Sequence, residues 1–331
     1  MSNGGAFAPG VHRALAPAKI NLGLFVGPVR EGDGRHELVS VMQSISLADE
    51  LTLELGDPDS DRDEVVCPGV PGDPAQNLAA AALQAFRAST GWQAPPLRLS
   101  IVKRIPVAAG LGGGSADAAA ALRLATHASG LGDEQLLQAL ASELGADVPA
   151  QVSPGRWLAS GAGERLQELA PARSRFGVLV LALEESLSTA VVYAEADRQR
   201  LARSKEELGE RRMELRAALE HGAPLPAATE LLHNDLQRAA VSLCPSIAHA
   251  LEQAREAGAE PALVSGSGPT VIGLFPHAGG SADSGVVLAR AAAASLSDRV
   301  PAPICAVPVD AAFARAANDG PVRHNSGEID D

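Results

Sequence analysis

The sequence predicts an α+β chain built as two domains, and three observations predict it. A strand, a glycine-rich loop and a helix follow one another between Leu97 and Ala121. A second series of strand and helix signals begins near Pro171. The chain has 331 residues and is 46% hydrophobic, which is enough for one large core or two ordinary ones.

The elements read as follows. Residues 1–11 form a loose tail. Ala14 to Val26 is an apolar strand, with Lys19 and Asn21 two residues apart and so on one face. Polar groups inside an apolar strand need partners; the pair fits either a solvated edge strand or a cleft wall. Arg30 to Leu38 is a turn rich in glycine and charge, and His36 in it reads as a surface residue or a ligand contact. Val39 to Ile45 and Leu51 to Leu55 are strands, Gly56 to Gly72 a polar connection, and Asn77 to Ala88 an alanine-rich helix.

Leu97, Leu99 and Ile101 alternate with polar residues, the period of a half-buried strand. Four glycines then fall within five residues, at Gly110 and Gly112 to Gly114. Glycine has no Cβ, so the backbone bends freely and approaches a ligand closely. Ser115 reads as the N-cap of an alanine helix. The unpaired amides at that end, with the positive end of the dipole, suit a phosphate. The bland alternative is a flexible surface loop. The motif is not a P-loop, because Ser115-Ala116 stands where Lys-Ser or Lys-Thr belongs. It is not the dinucleotide fingerprint either, because Ser115 occupies its third glycine position.

Asp133 caps a helix carrying Leu136, Leu137, Leu140 and Leu144, and Gly145 ends it. Asp147 follows in an apolar turn, where an aspartate commonly caps backbone amides. Gly155 to Glu164 is a strand and turn. After Pro171 come a buried strand at Phe176–Leu183 and helices at Ser188–Arg203 and Lys205–Leu219. Further helices follow at Glu230–Leu236 and Pro245–Ala257. Ala262–Val264 and Pro269–Phe275 form a hairpin around Ser265-Gly266-Ser267-Gly268. A helix at Gly285–Leu296 and a strand at Ile304–Val309 close the series, and residues 318–331 form a flexible tail.

Composition excludes several classes. A net charge of −13 argues against nucleic acid and acidic membrane as partners. No apolar run reaches the ~18 residues of a membrane span, and the N-terminus has no secretory pattern. Cys67, Cys244 and Cys305 are scattered, without metal-ligand spacing, and fit reduced thiols in cytoplasm. Of the 27 basic residues only Lys19, Lys103 and Lys205 are lysine. A lysine kept in such a background supplies a compact ammonium that arginine cannot mimic.

The pattern from Pro106 to Ser115, Pro-x-x-x-Gly-Leu-Gly-x-x-Ser, resembles the phosphate loop of the GHMP kinases. The resemblance extends from Ala14 to Val309. It rests on Pro17-Ala18-Lys19-Ile20-Asn21-Leu22, Asp33-Gly34-Arg35-His36-Glu37-Leu38, Ile105 to Asp117, Gly145-Ala146-Asp147-Val148-Pro149, Asn234-Asp235-Leu236 and Ser265 to Gly268. It implies the two-domain fold of the family: an N-terminal domain like ribosomal protein S5 domain 2, over 12–168, and a ferredoxin-like C-terminal domain, over 172–312. It implies a small-molecule kinase with ATP as co-substrate, accompanied by Mg²⁺, for which the sequence offers no carboxylate cluster of its own.

The branch it most resembles phosphorylates a cytidine diphosphate-linked methylerythritol, an isoprenoid precursor. By that resemblance Asp147 is the base and Lys19 its partner. Pro106, Val107, Ala108, Ala109, Gly110, Leu111, Gly112, Gly113, Gly114, Ser115 and Ala116 hold ATP. Asn21, His36, Tyr193, Ser265, Gly266, Ser267 and Gly268 bind the acceptor. Arg35 departs from the family, which commonly has tyrosine there; Tyr193, the one tyrosine of the chain, is the expected stacking ring. The alternatives are another small-molecule GHMP kinase, for homoserine or mevalonate, and a non-catalytic nucleotide-binding paralogue. Monomer and homodimer both remain open.

Overall fold

The computed structural model describes residues 5–70, 76–173, 175–219, 222, 230–277 and 283–318. Two long antiparallel strands, β1 (His12–Val29) and β2 (His36–Leu55), form its spine. The register between them slips at three places: between Pro17 and Lys19, between Asn21 and Gly23, and between Val26 and Val29. Pro17 has no N–H for the ladder, and a slip of this kind re-aims the side chains around it. Lys19 to Asn21 is therefore a short registered step with an irregularity on each side.

The far side of β2 changes partner along its length. Glu50–Leu55 pairs with β4 (Leu97–Val102), and Leu38–Gln43 pairs with β5 (Arg156–Gly161). Two strands absent from the sequence reading extend this side of the sheet. The three-residue β3 (Glu64–Val66) runs parallel to β4, and β6 (Arg165–Leu169) pairs with β5. Both are short and polar in part, so neither shows a clean period.

Helices α1 (Leu78–Thr90), α2 (Gly113–Ser129), α3 (Glu134–Leu144) and the short α4 (Val148–Val152) pack together with this sheet. Every residue of α2 from Ala116 to Leu122 is buried. A run of alanines makes this possible, because small side chains let a helix lie close to neighbours on several sides. The cap differs from the expected one. Gly112, not Ser115, is the N-cap, with φ +70°, and the Ala116 N–H closes the first turn on the Gly112 carbonyl at 2.9 Å. Gly113 and Gly114 take helical geometry, which places Ser115 in the first turn.

A four-stranded sheet follows, in the order β10–β7–β9–β8, from β7 (Gly177–Leu181), β8 (Ala262–Val264), β9 (Val271–Phe275) and β10 (Ile304–Ala306). Between β7 and β8 come α5 (Thr189–Arg198), α6 (Lys205–Leu219), α7 (Gln237–Leu243) and α8 (Ser246–Glu256); α9 (Ser284–Ser295) joins β9 to β10. With one layer of helix counted for each crossover, this is the βαββαβ order of a ferredoxin-like unit.

Three further expectations are corrected. Residues 5–11 are packed, not loose: Phe7 stacks on Trp92, and the Ala8 N–H donates to the Ala128 carbonyl at 2.7 Å. Glu230–Leu236 is not a helix. Leu24 pairs with this stretch, accepting from the Asp235 N–H and donating to the His233 carbonyl, so Asn234 is drawn into a β-bridge. After β10 the chain returns to the first sheet, where β11 (Ala317–Asn318) pairs with β1; Asn318 thus belongs to the sheet, while 319–331 lies outside the described residues.

β7 runs close under α9. A Cβ at Gly177 would strike the Gly285 carbonyl and come within 2.5 Å of Ala289 Cβ. Overpacking of this kind costs about 1–3 kcal/mol. Gly177→Ala is expected to lower stability by that amount in urea denaturation; an unchanged midpoint would show that the two elements have room to part.

Candidate active site

The site begins with Lys19. Its side chain is nearly buried, and the ammonium donates to Asn21 Oδ1 at 2.9 Å. Asn21 Nδ2 donates in turn to Ser40 Oγ at 2.7 Å, and that hydroxyl donates to the Gly23 carbonyl at 2.8 Å. The chain of bonds fixes the rotamers of both strand residues. Asp147 is the N-cap residue at the α3–α4 junction, with no capping bond from its side chain. Its Oδ2 stands 3.5 Å from Lys19 Nζ, and 41% of the side chain is exposed. The capping role that the sequence left open is therefore not the one adopted. The carboxylate faces open space beside a buried ammonium from a strand 128 residues earlier in the chain.

Two loops converge on this pair. The Lys19 N–H donates to the Leu111 carbonyl at 2.9 Å, which ties β1 to the glycine loop. Gly110 and Gly112 adopt φ of +76° and +70°, where glycine is strongly favoured. A Cβ on Gly112 would lie 2.9 Å from Lys19 Cγ, and one on Gly110 would lie 2.8 Å from the carbonyls of Ser265 and Gly268. The glycine loop thus lies between Lys19 and the β8–β9 hairpin. Asn234 Nδ2 holds that hairpin by donating to the carbonyls of Val264 and Gly266, each at 2.7 Å.

A cavity of about 840 Å³ opens on this junction, lined among others by Lys19, Asn21, His36, Asp147, Tyr193 and Gly266. A second, of about 410 Å³, lies along Pro106 to Ser115 and reaches Cys67, Asn77, Lys103 and Asp117. Gly110, Gly112 and Ser115 line both. Most of the sequence-derived candidates therefore meet in one place. Ala116, Ser265 and Gly268 do not reach either wall: Ala116 and Ser265 are fully buried, and Gly268 backs onto Val264.

His36, at the start of β2, and Tyr193, on α5, meet with ring centroids 5.1 Å apart at 34°. His36 Nδ1 lies 2.8 Å from the Gly27 carbonyl, which only accepts, so Nδ1 carries the proton; Nε2 lies 3.3 Å from Asp197 Oδ2. Burial, with the Asp147 carboxylate adding to it, pushes the Tyr193 phenol up to about 12. It stays neutral and offers a ring face. Arg35 Nη2 donates to the Ala162 carbonyl at 2.8 Å, which holds the guanidinium at the cavity edge.

The sequence reading gave no role to Ser40 or Asn234, and it missed the buried cluster that Asp49, Lys103 and Asp117 form. Lys103 had left a signal as one of three lysines, and Asn234 and Asp117 as members of motifs that gave them no role.

Comparison with known proteins follows the same lines. Residues 77–155 match the GHMP kinases N terminal domain and residues 215–284 the GHMP kinases C terminal domain. A 4-diphosphocytidyl-2-C-methyl-D-erythritol kinase of Salinispora tropica is 40% identical over 288 residues, covering 86% of this chain and 89% of its own. The chain belongs to the GHMP kinase family. Members of that family are small-molecule kinases with ATP as the phosphate donor.

Among solved structures, a 4-(cytidine 5'-diphospho)-2C-methyl-D-erythritol kinase superposes with a TM-score of 0.68 at 31% identity, covering 89% of this chain and 98% of that one. A homoserine kinase from Cytophaga hutchinsonii superposes with a TM-score of 0.64 at 16% identity, covering 93% and 98%, which is a likeness of fold alone. The N-terminal family match holds the glycine loop and Asp147 of this GHMP kinase, whereas Lys19, Asn21 and His36 precede it.

Proposed function

We propose that the chain catalyses ATP-dependent phosphorylation of the 2-hydroxyl of 4-diphosphocytidyl-2-C-methyl-D-erythritol, in the non-mevalonate route to isoprenoid precursors. The observation that carries the reading is the Lys19–Asp147 pair, 3.5 Å apart on the wall of a cavity that shares its glycine loop with a second one. The 840 Å³ space lies within the range that small-molecule sites occupy. The names of the relatives support the choice of acceptor.

In this reading the nucleotide lies along the 410 Å³ cavity, with its phosphates against the amides of the glycine loop. The acceptor fills the larger cavity. Asp147 takes the proton of the attacking hydroxyl, and Lys19 stabilises the carboxylate beforehand and the developing alkoxide afterwards. Asn21 holds the Lys19 ammonium and has one amide hydrogen left for the polyol. Gly266 and Ser267 close the site from the hairpin, Ser265 and Gly268 supporting them from behind. His36 edges the cytosine, and Tyr193 stacks on it. The active site then lies between two domains, 12–168 and 172–312. Among the described residues no cluster of histidine, cysteine or carboxylate side chains is built to hold a metal; Mg²⁺ is read as entering on the ATP phosphates, as part of the substrate.

ADP release measured with the cytidine-linked alcohol, homoserine and mevalonate tests the assignment. Turnover is expected with the first alone. Turnover with either of the others, or with none, replaces this reading by another kinase or by a silent nucleotide binder. Asp147→Asn is expected to reduce kcat by about 10²–10⁴-fold, and a variant at near full rate removes Asp147 as the base. Tyr193→Ala is expected to raise KM for the cytidine substrate about tenfold, as loss of one base stack does, with KM for ATP little changed. Equal KM values in variant and parent would exclude Tyr193 as the stacking ring.

A further inference from the structure

Under the glycine loop lies a buried ionic cluster that the reaction as read above does not use. Lys103, from the segment after β4, donates its ammonium hydrogens to Asp49 Oδ2 on β2 at 2.5 Å and to Asp117 Oδ2 on α2 at 2.7 Å. Asp49 has no exposed surface, and its Oδ1 accepts the N–H groups of Arg104 and Ile105 at 2.6 and 2.8 Å. Both Asp49 oxygens thus have donors. Asp117 does not match it: Oδ2 has Lys103, while Oδ1 is buried with no hydrogen-bond partner among the described residues. One ammonium serves two carboxylates, and the uncompensated oxygen belongs to Asp117.

A buried carboxylate with an orphan oxygen is costly while ionised and is relieved by a proton. Burial pushes the Asp117 carboxyl up to about 7; Lys103 pulls against that shift, and Asp49 reinforces it. Among the described residues the other titratable group facing it is Cys67, after β3, whose thiol is itself raised by burial and by Asp117. α1 presents only Ala79, Ala82, Leu83 and Phe86 as its buried face. Asp117 and Lys103 also line the 410 Å³ cavity, together with Pro106 to Ser115.

We propose that docking of nucleotide phosphates on the glycine loop is coupled to uptake of one solvent proton by Asp117, so that nucleotide affinity depends on pH through this cluster. The proposal rests on the kinase reading of the loop. With Asp117 ionised the cluster carries one net negative charge; with Asp117 protonated it is neutral. An anion arriving beside it raises the carboxyl further. A ligand that raises a group's pKa binds more tightly as pH falls through the interval between the free and bound values, and less tightly as pH rises through it. Affinity for the nucleotide is therefore highest below neutrality and falls above it.

Calorimetric titration of the full chain with MgADP tests this, because magnesium keeps the nucleotide phosphates themselves from titrating near neutrality. Run at about pH 7.5 in two buffers of different ionisation enthalpy, the parent is expected to take up on the order of half a proton per nucleotide. Its Kd should rise severalfold between about pH 7 and pH 8.5. Both effects should vanish in Asp117→Asn, with Asp117→Ser as the second variant if the first fails to fold. Binding with buffer-independent heat in the parent overturns the proposal alone, as does uptake that persists in a folded variant. Absence of MgADP binding at every pH overturns the kinase reading and this proposal with it.

Discussion

A lysine ammonium placed inside a β-sheet wall is the constraint on which the rest of the structure depends. Taking a charge out of water costs several kcal/mol unless it is paired and hydrogen-bonded. Lys19 meets that cost with the Asn21 carbonyl oxygen and the Asp147 carboxylate. Those partners come from its own strand and from a helix junction in a different part of the chain. The register slips on either side of the Lys19–Asn21 step turn both side chains toward the cavity, and the Asn21–Ser40–Gly23 bonds hold them there.

The glycines follow from this arrangement. Gly112 is where the loop passes over the Lys19 side chain, and Gly110 is where the same loop meets the carbonyls of the β8–β9 hairpin. Neither contact has room for a Cβ. The loop therefore does two jobs with one backbone: it lines both cavities, and it packs against the lysine. Asn234 extends the same packing to the second sheet by tying the hairpin to the segment that bridges Leu24. The two sheets thereby share a single wall around the ammonium.

How much of this was legible depended on whether the signal was local. The strand through Lys19 and Asn21, the loop with its helix, and the hairpin at Ser265–Gly268 each announce themselves by period or by glycine, and each forms where expected. Position along the helix was less legible: Ser115 has the better capping side chain, yet Gly112 is the cap, in the left-handed region at φ +70°. Glu230–Leu236 has helical composition and becomes a bridge because Leu24 captures its backbone. The Asp49–Lys103–Asp117 cluster draws on three separate elements, so no window of sequence contains it. Asp147 lies between these cases. Its neighbourhood reads as a turn, and only the fold brings Lys19 to within 3.5 Å.

The central claim is that Lys19 and Asp147 act as one unit. A double-mutant cycle on kcat/KM, comparing Lys19→Met, Asp147→Asn and the double variant with the parent, tests it most directly, because residues that act together lose activity non-additively. The account predicts a double variant no slower than the slower single one. Losses that multiply, with each residue contributing independently of the other, would contradict it.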